Sequence, residues 1–205
     1  MNRLRFDALD VGYGRKTILK SINGELTSGD WVHLFGRNGS GKTSLLQVLA
    51  SFHYPIEGSV LWNGNDIHRN KQTYRSSIRY FGHEVSLYER LTVRDNWELF
   101  SGLFDLHGTA PRSFTEHIEP ETPVEQLSRG QKRRVELASL IASPRELLIF
   151  DEPLASLDQE AVDSLIENLE SIREDDGIIL TASPEPLEQA QENWKVAGTD
   201  LVKVQ

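Results

Sequence analysis

The chain has 205 residues, of which 38% are hydrophobic and 26% are charged, a composition typical of one α/β domain with a buried core. Its formal net charge of −9 disfavours nucleic acid as the main partner, because proteins that bind phosphate backbones usually carry a basic surface. There is no cysteine, which excludes disulfides and thiolate metal sites.

No stretch of the sequence predicts secretion or membrane insertion. The N-terminus meets charged residues before any apolar run forms, and the longest apolar runs, such as 147–150, are far shorter than a membrane span. We therefore expect a soluble protein that reaches a membrane only through a partner.

Hydrophobic periodicity and turn residues predict strands around one helix in the first part of the chain. The expected strands are 3–11 (at a sheet edge), 17–22, 30–35, 59–62 and 78–81, and the expected helix is 43–50. Over about 84–142 the pattern changes, and we expect a small, partly helical insert within a single domain that spans 1–205. In the insert, Thr92 and Ser128 are the expected N-caps of two helices, separated by a polar, loop-rich stretch at 108–123.

Regular α/β texture returns after the insert. The expected elements are a buried strand at 147–151, a helix at 158–173, a strand at 178–181, a helix at 185–193 and a terminal hairpin around Gly198.

Residues 36–43 fit the phosphate-binding pattern Gly-x-x-x-x-Gly-Lys-[Ser/Thr], between an expected strand and an expected helix. Glycines let the backbone approach a ligand closely, and successive N–H groups together with the helix N-terminus attract phosphate. Lys42 reaches the β- and γ-phosphates of a nucleotide such as ATP, and the Thr43 hydroxyl is a ligand for Mg²⁺. The expected nucleotide contacts in this stretch are Gly36, Arg37, Asn38, Gly39, Ser40, Gly41, Lys42, Thr43 and Ser44.

The buried strand at 147–151 runs into two carboxylates, Asp151 and Glu152. In a parallel sheet, a strand that ends in Asp delivers that carboxylate to the edge where phosphates and Mg²⁺ lie. Asp151 is therefore an expected Mg²⁺ ligand, and Glu152 is the expected general base that polarises the attacking water. Behind a phosphate loop, this interpretation is favoured over a solvated strand end before a turn.

A second candidate anion site lies at Leu127-Ser128-Arg129-Gly130-Gln131, ahead of three basic residues. A Ser cap, a glycine backbone and a helix N-terminus together attract an anion. Taken alone, the stretch fits an ordinary capped helix better. Since one chain has one phosphate loop, a second anion site indicates use in trans, across a dimer.

These motifs, in this order, resemble those of ABC-type ATPases over essentially the whole chain. The Leu-Ser-x-Gly-Gln stretch, which resembles the family's signature sequence, stands 23 residues before Asp151, and residues 155–158 resemble the family's D-loop. Tyr13 lies 29 residues before Lys42, where the family has an aromatic that stacks on adenine. Apart from the resemblance, Tyr13 fits an ordinary turn aromatic.

The resemblance implies a fold and a set of contacts. The fold would be an α/β P-loop NTPase core with a mixed central sheet, an N-terminal antiparallel β-subdomain and a small helical insert. The nucleotide contacts outside the phosphate loop would come from Tyr13, Ser128, Gly130, Gln131 and Asp158. Within the family, the chain is most similar to the ATP-binding subunits of cytochrome c maturation (haem exporter) complexes, in its short length, its compact insert and the sequence Tyr80-Phe81-Gly82-His83.

Two positions depart from the general family pattern. His83 stands where most relatives carry a glutamine that senses Mg²⁺ and the membrane partner, so we interpret it as a variant sensor with a catalytic and metal-site role; a turn histidine without a ligand is the alternative. Ser183 stands where the family has a histidine that contacts the γ-phosphate. A hydroxyl carries no positive charge, so we expect intact ATP binding and slow hydrolysis.

The expected function is that of an ATP-binding subunit of an ABC transporter, hydrolysing ATP as a head-to-tail dimer at the cytoplasmic face of a membrane. Its partners would be a second copy (or a paralogous subunit) and an integral membrane permease, and its cargo haem for cytochrome c biogenesis. Three alternatives stay open: a soluble ABC ATPase without a membrane partner, a weakly hydrolytic ATP-binding regulator and, least favoured, a phosphate-loop kinase.

Overall fold

Ten strands and six helices form the part of the chain that the computed structural model describes, residues 1–14, 16–104 and 112–204. The strands are β1 (Arg3–Tyr13), β2 (Lys16–Thr27), β3 (Trp31–Phe35), β4 (Glu57–Trp62), β5 (Asn65–Asp66), β6 (Ile78–Phe81), β7 (Leu147–Asp151), β8 (Ile178–Ser183), β9 (Glu192–Ala197) and β10 (Asp200–Val204). The helices are α1 (Lys42–Leu49), α2 (Lys71–Ser76), α3 (Val93–Phe104), α4 (Arg112–Thr115), α5 (Arg129–Ile141) and α6 (Gln159–Glu174), and a 3₁₀ turn covers Val124–Gln126.

The first sheet is antiparallel and has four strands in the order β2-β1-β4-β5. Strand β1 pairs with β2 on one side and with β4 on the other, so the prediction that residues 3–11 form an edge strand was wrong. The reason is non-local: β4 lies more than forty residues downstream and is brought back to β1 only by the tertiary fold.

The second sheet is mixed and has six strands in the order β10-β9-β3-β8-β7-β6. Strand β3 pairs in parallel with β8 and β9, β8 pairs in parallel with β7, and β9 and β10 form an antiparallel hairpin. Strand β7 is buried at every position, as expected for a strand inside a parallel sheet. This architecture confirms the fold class expected from the sequence, an antiparallel N-terminal sheet joined to a mixed central sheet.

The chain divides into two compact units. The first comprises Met1–Tyr80, Arg145–Pro153 and Ser171–Gln205, and its core lies on the two sheets and on the apolar face of α1. The second comprises Phe81–Pro144 and Leu154–Glu170. It has a core of its own, formed by Leu87, Val93, Phe100, Ile118, Val124, Leu127 and Val135.

Local capping signals in the second unit are confirmed. The Thr92 hydroxyl accepts a hydrogen bond from the Asp95 N–H at 3.0 Å, and the Asp95 carboxylate accepts one from the Thr92 N–H at 3.1 Å, just before α3 begins. Ser128 and Gln131 form the same reciprocal arrangement at the start of α5. Of the polar stretch predicted at 108–123, residues 108–111 lie outside the described residues, and the rest contains the short helix α4 and turns.

The helix expected at 185–193 is absent, and that prediction was wrong. Residues 185–191 form turns and bends, and Glu192 already begins β9. Proline at 184 and 186 disfavours a regular helical start, and the Asn193 side chain bonds both the N–H and the C=O of Leu187, which ties the turn to the strand.

Helix α2 was not predicted, since its six residues carry little periodicity. Within residues 1–14, 16–104 and 112–204, no helix is both long and apolar enough to cross a bilayer.

Candidate functional site

The phosphate loop connects the end of β3 to the start of α1. Gly36 has a φ of 152°, and a Cβ there would lie 2.6 Å from the Val196 carbonyl oxygen. Gly41 has a φ of 108°, and a Cβ there would lie 2.5 Å from the side chain of Ile18. Both positions therefore require glycine for space as well as for conformation. The loop's outer side is open, because Arg37, Asn38, Gly39 and Thr43 are exposed while Ser40 and Ser44 are half-buried.

Lys42 lies inside the loop, with only 5% of its surface exposed. Its Nζ donates hydrogen bonds to the carbonyl oxygen of Gly36 at 2.7 Å and to that of Arg37 at 3.4 Å. Burial lowers the pKa of Lys42, while the nearby carboxylates of Glu152 and Asp151 act in the opposite direction. The structure thus brings the three predicted ionisable groups within electrostatic reach of one another.

The two carboxylates stand at the end of β7. Asp151 is 1% exposed and pairs in register with Ala182 of β8. Glu152 is half-buried, and its N–H donates to the Ala182 carbonyl oxygen at 2.9 Å. The backbone of Glu152 has a φ of 52°, a left-handed conformation that costs a non-glycine residue about 1 kcal/mol or more. Such strain at a predicted catalytic base fixes the direction in which its side chain leaves the strand.

Tyr13 ends β1 with its side chain 51% exposed. Its hydroxyl donates to Oε1 of Gln47 and accepts from the Ser44 hydroxyl, both at 3.2 Å, so the tyrosine is tied to α1 directly behind the phosphate loop. The ring meets His53 edge-on, with centroids 5.8 Å apart. An exposed aromatic ring anchored next to a phosphate loop is suited to stack on a base.

Ser183 ends β8 beside the phosphate loop. It pairs in register with Phe35, and the N–H of Gly36 donates to the carbonyl oxygen of Pro184 at 3.3 Å. The Ser183 hydroxyl donates to the Glu185 carbonyl oxygen at 2.6 Å and lies 3.0 Å from Nε2 of His33. The serine therefore lies next to the phosphate loop, within hydrogen-bond distance of a buried histidine that was not predicted from the sequence.

The signature residues belong to the second unit, where they line one cavity of about 630 Å³. Its walls include Ser128, Gly130, Gln131 and Asp158, together with Arg134. A Cβ on Gly130 would lie 2.9 Å from the Ser156 carbonyl oxygen, so glycine lets α5 and the 155–158 segment pack closely. Asp158 pairs with Arg134 and also accepts from the Ala161 N–H at 3.0 Å, as the cap of α6. The predicted signature and D-loop contacts thus share one surface.

Comparison with known proteins identifies the family. The family model "ABC transporter" matches residues 19–155. The chain is 33% identical over 180 residues to the cytochrome c biogenesis ATP-binding export protein CcmA of Escherichia coli (strain K12), covering 86% of each chain. The chain belongs to the ABC transporter family. It is an ATP-binding domain of the ABC ATPase type, as the sequence predicted.

Solved structures with the same fold include other ABC proteins. A putative ABC transporter ATP-binding protein from Pyrococcus furiosus superposes with a TM-score of 0.82 at 26% identity, covering 95% of this chain and 97% of that one. A dimeric ATP-binding cassette in a post-hydrolysis state, bound to ADP and Pi, superposes with a TM-score of 0.84 over 98% of each chain. At 19% identity, the second likeness concerns the fold alone.

In this ABC ATPase, His83 lies exposed in the loop after β6. Helix α5 holds that loop on both sides of His83. Arg133 donates to the Gly82 carbonyl oxygen at 2.6 Å, and Oε1 of Glu136 accepts from the N–H and the hydroxyl of Ser86 at 3.0 and 2.6 Å. Arg133 and Glu136 are themselves buried, 3.8 Å apart, and the Arg133 guanidinium lies 3.7 Å from the centre of the Phe81 ring. The helix that begins at the signature serine therefore fixes the loop that carries His83.

Three buried ionisable side chains near the predicted site residues were not predicted from the sequence: His33, Arg133 and Glu136. Each is an ionisable residue at a position where the element's pattern is otherwise apolar or buried. An ionisable residue within an apolar pattern was the signal in the sequence that these side chains have specific partners, because such side chains are rarely buried without one. Their partners, in contrast, lie between 50 and 152 residues away along the chain or on a neighbouring strand, so the sequence did not reveal what they hold.

We expect His33 to make the stability of this ABC ATPase depend on pH. Burial lowers the pKa of His33 from 6.5 to about 4, and the charge of Lys42 acts in the same direction. Below pH 6.5 the unfolded chain therefore binds a proton on His33, whereas the folded chain binds it only near pH 4. The contribution of neutral His33 to the free energy of unfolding is fully present above pH 6.5 and is lost as the pH falls toward 4. We expect His33 alone to account for a loss of about 2 to 3 kcal/mol in the free energy of unfolding between pH 7.5 and 4.5.

Urea unfolding of the parent and of His33→Gln at both pH values measures this contribution. The glutamine does not titrate, so its free energy of unfolding should fall by about 2 to 3 kcal/mol less than that of the parent over this range. Equal pH dependence in the two proteins would contradict the assignment of a neutral, buried His33.

Proposed function

We propose that residues 1–205 form one ABC-type ATP-binding domain, the ATP-hydrolysing subunit of an ABC exporter, and that two copies sandwich two ATP molecules head to tail. The observation that carries the proposal is the division of the site. Phosphate-loop residues and both carboxylates belong to the first unit, whereas Ser128, Gly130 and Gln131 line a cavity in the second. One chain offers one phosphate loop, so the signature cavity is available to the nucleotide of a second copy.

In the proposed site, each residue has a role that its chemistry supports. The Tyr13 ring stacks on adenine, the loop's N–H groups and Lys42 hold the phosphates, and Glu152 accepts a proton from the attacking water. Ser128 and the helix N-terminus of the second copy close over the γ-phosphate. Contacts from both copies to the γ-phosphate favour the closed dimer while ATP is intact, and hydrolysis removes this preference.

The residues present fit Mg²⁺. The Thr43 hydroxyl and the Asp151 carboxylate are oxygen ligands, the kind that Mg²⁺ prefers, and they stand at the start of α1 and at the end of β7 in the same unit. Bound Mg²⁺ supplies charge neutralisation on the β- and γ-phosphates. We propose that His83 replaces the usual glutamine as the residue that senses this site and the membrane partner.

We further propose that the partner is an integral membrane subunit on whose cytoplasmic face this chain docks, and that the cargo is haem for cytochrome c biogenesis. Support comes from the similarity to the ATP-binding export protein CcmA, which extends over 86% of both chains. The Tyr80-Phe81-Gly82-His83 sequence adds to that support, since it resembles the haem-exporter group at the loop that α5 anchors.

The dimer is tested with substitutions of Ser128 that keep its role as the cap of α5 but change its proposed contact with the nucleotide. In Glu152→Gln, which keeps ATP from being hydrolysed, we expect a monomer with ADP and a dimer with ATP and Mg²⁺, measured by light scattering coupled to gel filtration. Adding Ser128→Asp should abolish the dimer, because aspartate still caps the helix but repels the γ-phosphate.

The matched control for this test is Ser128→Asn in the same Glu152→Gln background, because asparagine caps the helix without adding charge. This variant should still dimerise. A Glu152→Gln protein that stays monomeric at saturating ATP, or a dimer indifferent to Ser128→Asp, would contradict the shared site.

The membrane partner is tested by affinity purification from a detergent extract of the native host. We expect an integral membrane subunit to co-purify and to carry haem absorbance, and Lys42→Ala to retain it, because docking does not use the phosphate loop. Recovery with ribosomes instead would identify a soluble ABC ATPase. A membrane partner that carries no haem would support the proposed exporter but contradict the proposed haem cargo.

The rate of hydrolysis is tested at Ser183, whose hydroxyl carries no positive charge toward the γ-phosphate. We expect Ser183→His to raise kcat about tenfold to a hundredfold, since a charge-assisted contact to the transferred phosphoryl group contributes a few kcal/mol. The affinity for ATP should change little. A kcat that responds neither to Ser183→His nor to Ser183→Ala would exclude Ser183 from the reaction.

A further inference from the structure

His33 lies in the middle of β3, one strand away from the end of β8. It is 1% exposed and pairs in register with Thr181, so its side chain shares a face of the sheet with Thr181 and Ser183. Nδ1 of His33 is 2.7 Å from the Thr181 hydroxyl. Nε2 is 3.0 Å from the Ser183 hydroxyl and 2.9 Å from the Glu185 carbonyl oxygen.

The partners of the ring determine where its proton lies. A carbonyl oxygen only accepts, so Nε2 must carry the hydrogen that points at Glu185. The ring is neutral, because burial depresses its pKa to about 4, and Nδ1 is therefore an acceptor for the Thr181 hydroxyl. The Thr181 oxygen in turn accepts from Nε1 of Trp31 at 3.1 Å. The donors run in one direction, from Trp31 through Thr181 and His33 to Glu185.

The Glu185 carbonyl oxygen has two donors, the His33 Nε2–H and the Ser183 hydroxyl at 2.6 Å. If the hydroxyl turns toward a phosphate oxygen, the carbonyl keeps the bond from His33. Since His33 is 1% exposed, its Nε2–H needs a protein acceptor, and this carbonyl remains that acceptor whether or not the hydroxyl also bonds it. With His33 in place, Ser183 is free to redirect its only proton.

The same segment adjoins the phosphate loop. Gly36 donates its N–H to the carbonyl oxygen of Pro184, and the charge of Lys42 is close enough to lower the pKa of His33. A substitution of His33 therefore affects the 183–185 turn, which lies directly beside the phosphate loop.

We infer that His33 is the positioning residue for Ser183: it holds the Ser183 hydroxyl beside the phosphate loop and satisfies the Glu185 carbonyl when that hydroxyl turns to the γ-phosphate. The inference rests on the proposed contact between Ser183 and the γ-phosphate. The family's histidine is replaced by Ser183, and the histidine next to it, His33, lies on the neighbouring strand β3 and acts through the serine.

Two substitutions of His33 separate positioning from packing. His33→Gln places an N–H donor near the site of Nε2, whereas His33→Asn places its amide near the site of Nδ1 and leaves Ser183 and Glu185 without the donor. Both remove the ring and both retain a polar amide. We expect single-turnover hydrolysis of ATP to fall about fivefold to tenfold in His33→Asn and less than twofold in His33→Gln, with the dissociation constant for ATP unchanged in both.

Thermal unfolding is the structural readout for this pair. If His33 only packs, the rates of the two variants should follow their melting temperatures, and the selective loss in His33→Asn should be absent. Equal rates in His33→Gln and His33→Asn would overturn the inference.

A double-variant cycle connects His33 to Ser183. If His33 acts through Ser183, Ser183→Ala and His33→Asn should each slow single turnover, and the double variant should be no slower than Ser183→Ala alone. Additive losses would overturn the inference while leaving the role of Ser183 intact. An unchanged rate in Ser183→Ala would overturn both the inference and the proposed γ-phosphate contact.

Discussion

The nucleotide half of the site depends on the parallel pairing of β3, β8 and β7. Because Phe35 pairs with Ser183 and Asp151 with Ala182, the three strands end at the same edge of the sheet. Two backbone bonds continue the ladder past the strand ends, from Gly36 to the Pro184 carbonyl and from Glu152 to the Ala182 carbonyl. The phosphate loop, the carboxylates and the serine are therefore fixed by main-chain hydrogen bonds, and side chains add the charge.

Burial then determines how the ionisable groups at this edge behave. Lys42 and His33 are both almost completely buried, and burial lowers the pKa of each. Lys42 is compensated by the carboxylates of Asp151 and Glu152, whereas His33 is compensated by neutral partners and stays uncharged. The edge thus combines one cation suited to phosphate with one neutral ring suited to direct a hydroxyl, because an amine has a much higher ordinary pKa than an imidazole and the two carboxylates favour its charge.

In the second unit, a buried ion pair has an organising role. Arg133 and Glu136 leave α5 one turn apart and bond the backbone at Gly82 and Ser86. A buried ion pair needs further hydrogen bonds to offset its desolvation, and here the Arg133 guanidinium and Oε1 of Glu136 make such bonds to the loop that carries His83. Since α5 begins directly after Ser128, one helix carries the signature cap at its start and the contacts to the His83 loop farther along.

Features set by neighbouring residues were predictable. The sequence alone determined the phosphate loop, the buried strand that runs into Asp151, the capping pairs at Thr92 and Ser128, and the family, because glycine geometry, apolar runs and side-chain caps act over a few residues. Only the tertiary structure decided that β1 lies inside its sheet, that residues 185–193 are turns, and that His33 bonds the 183–185 segment. These outcomes depend on pairing between strands far apart in the chain, and periodicity along one strand carries no information about which strand lies beside it.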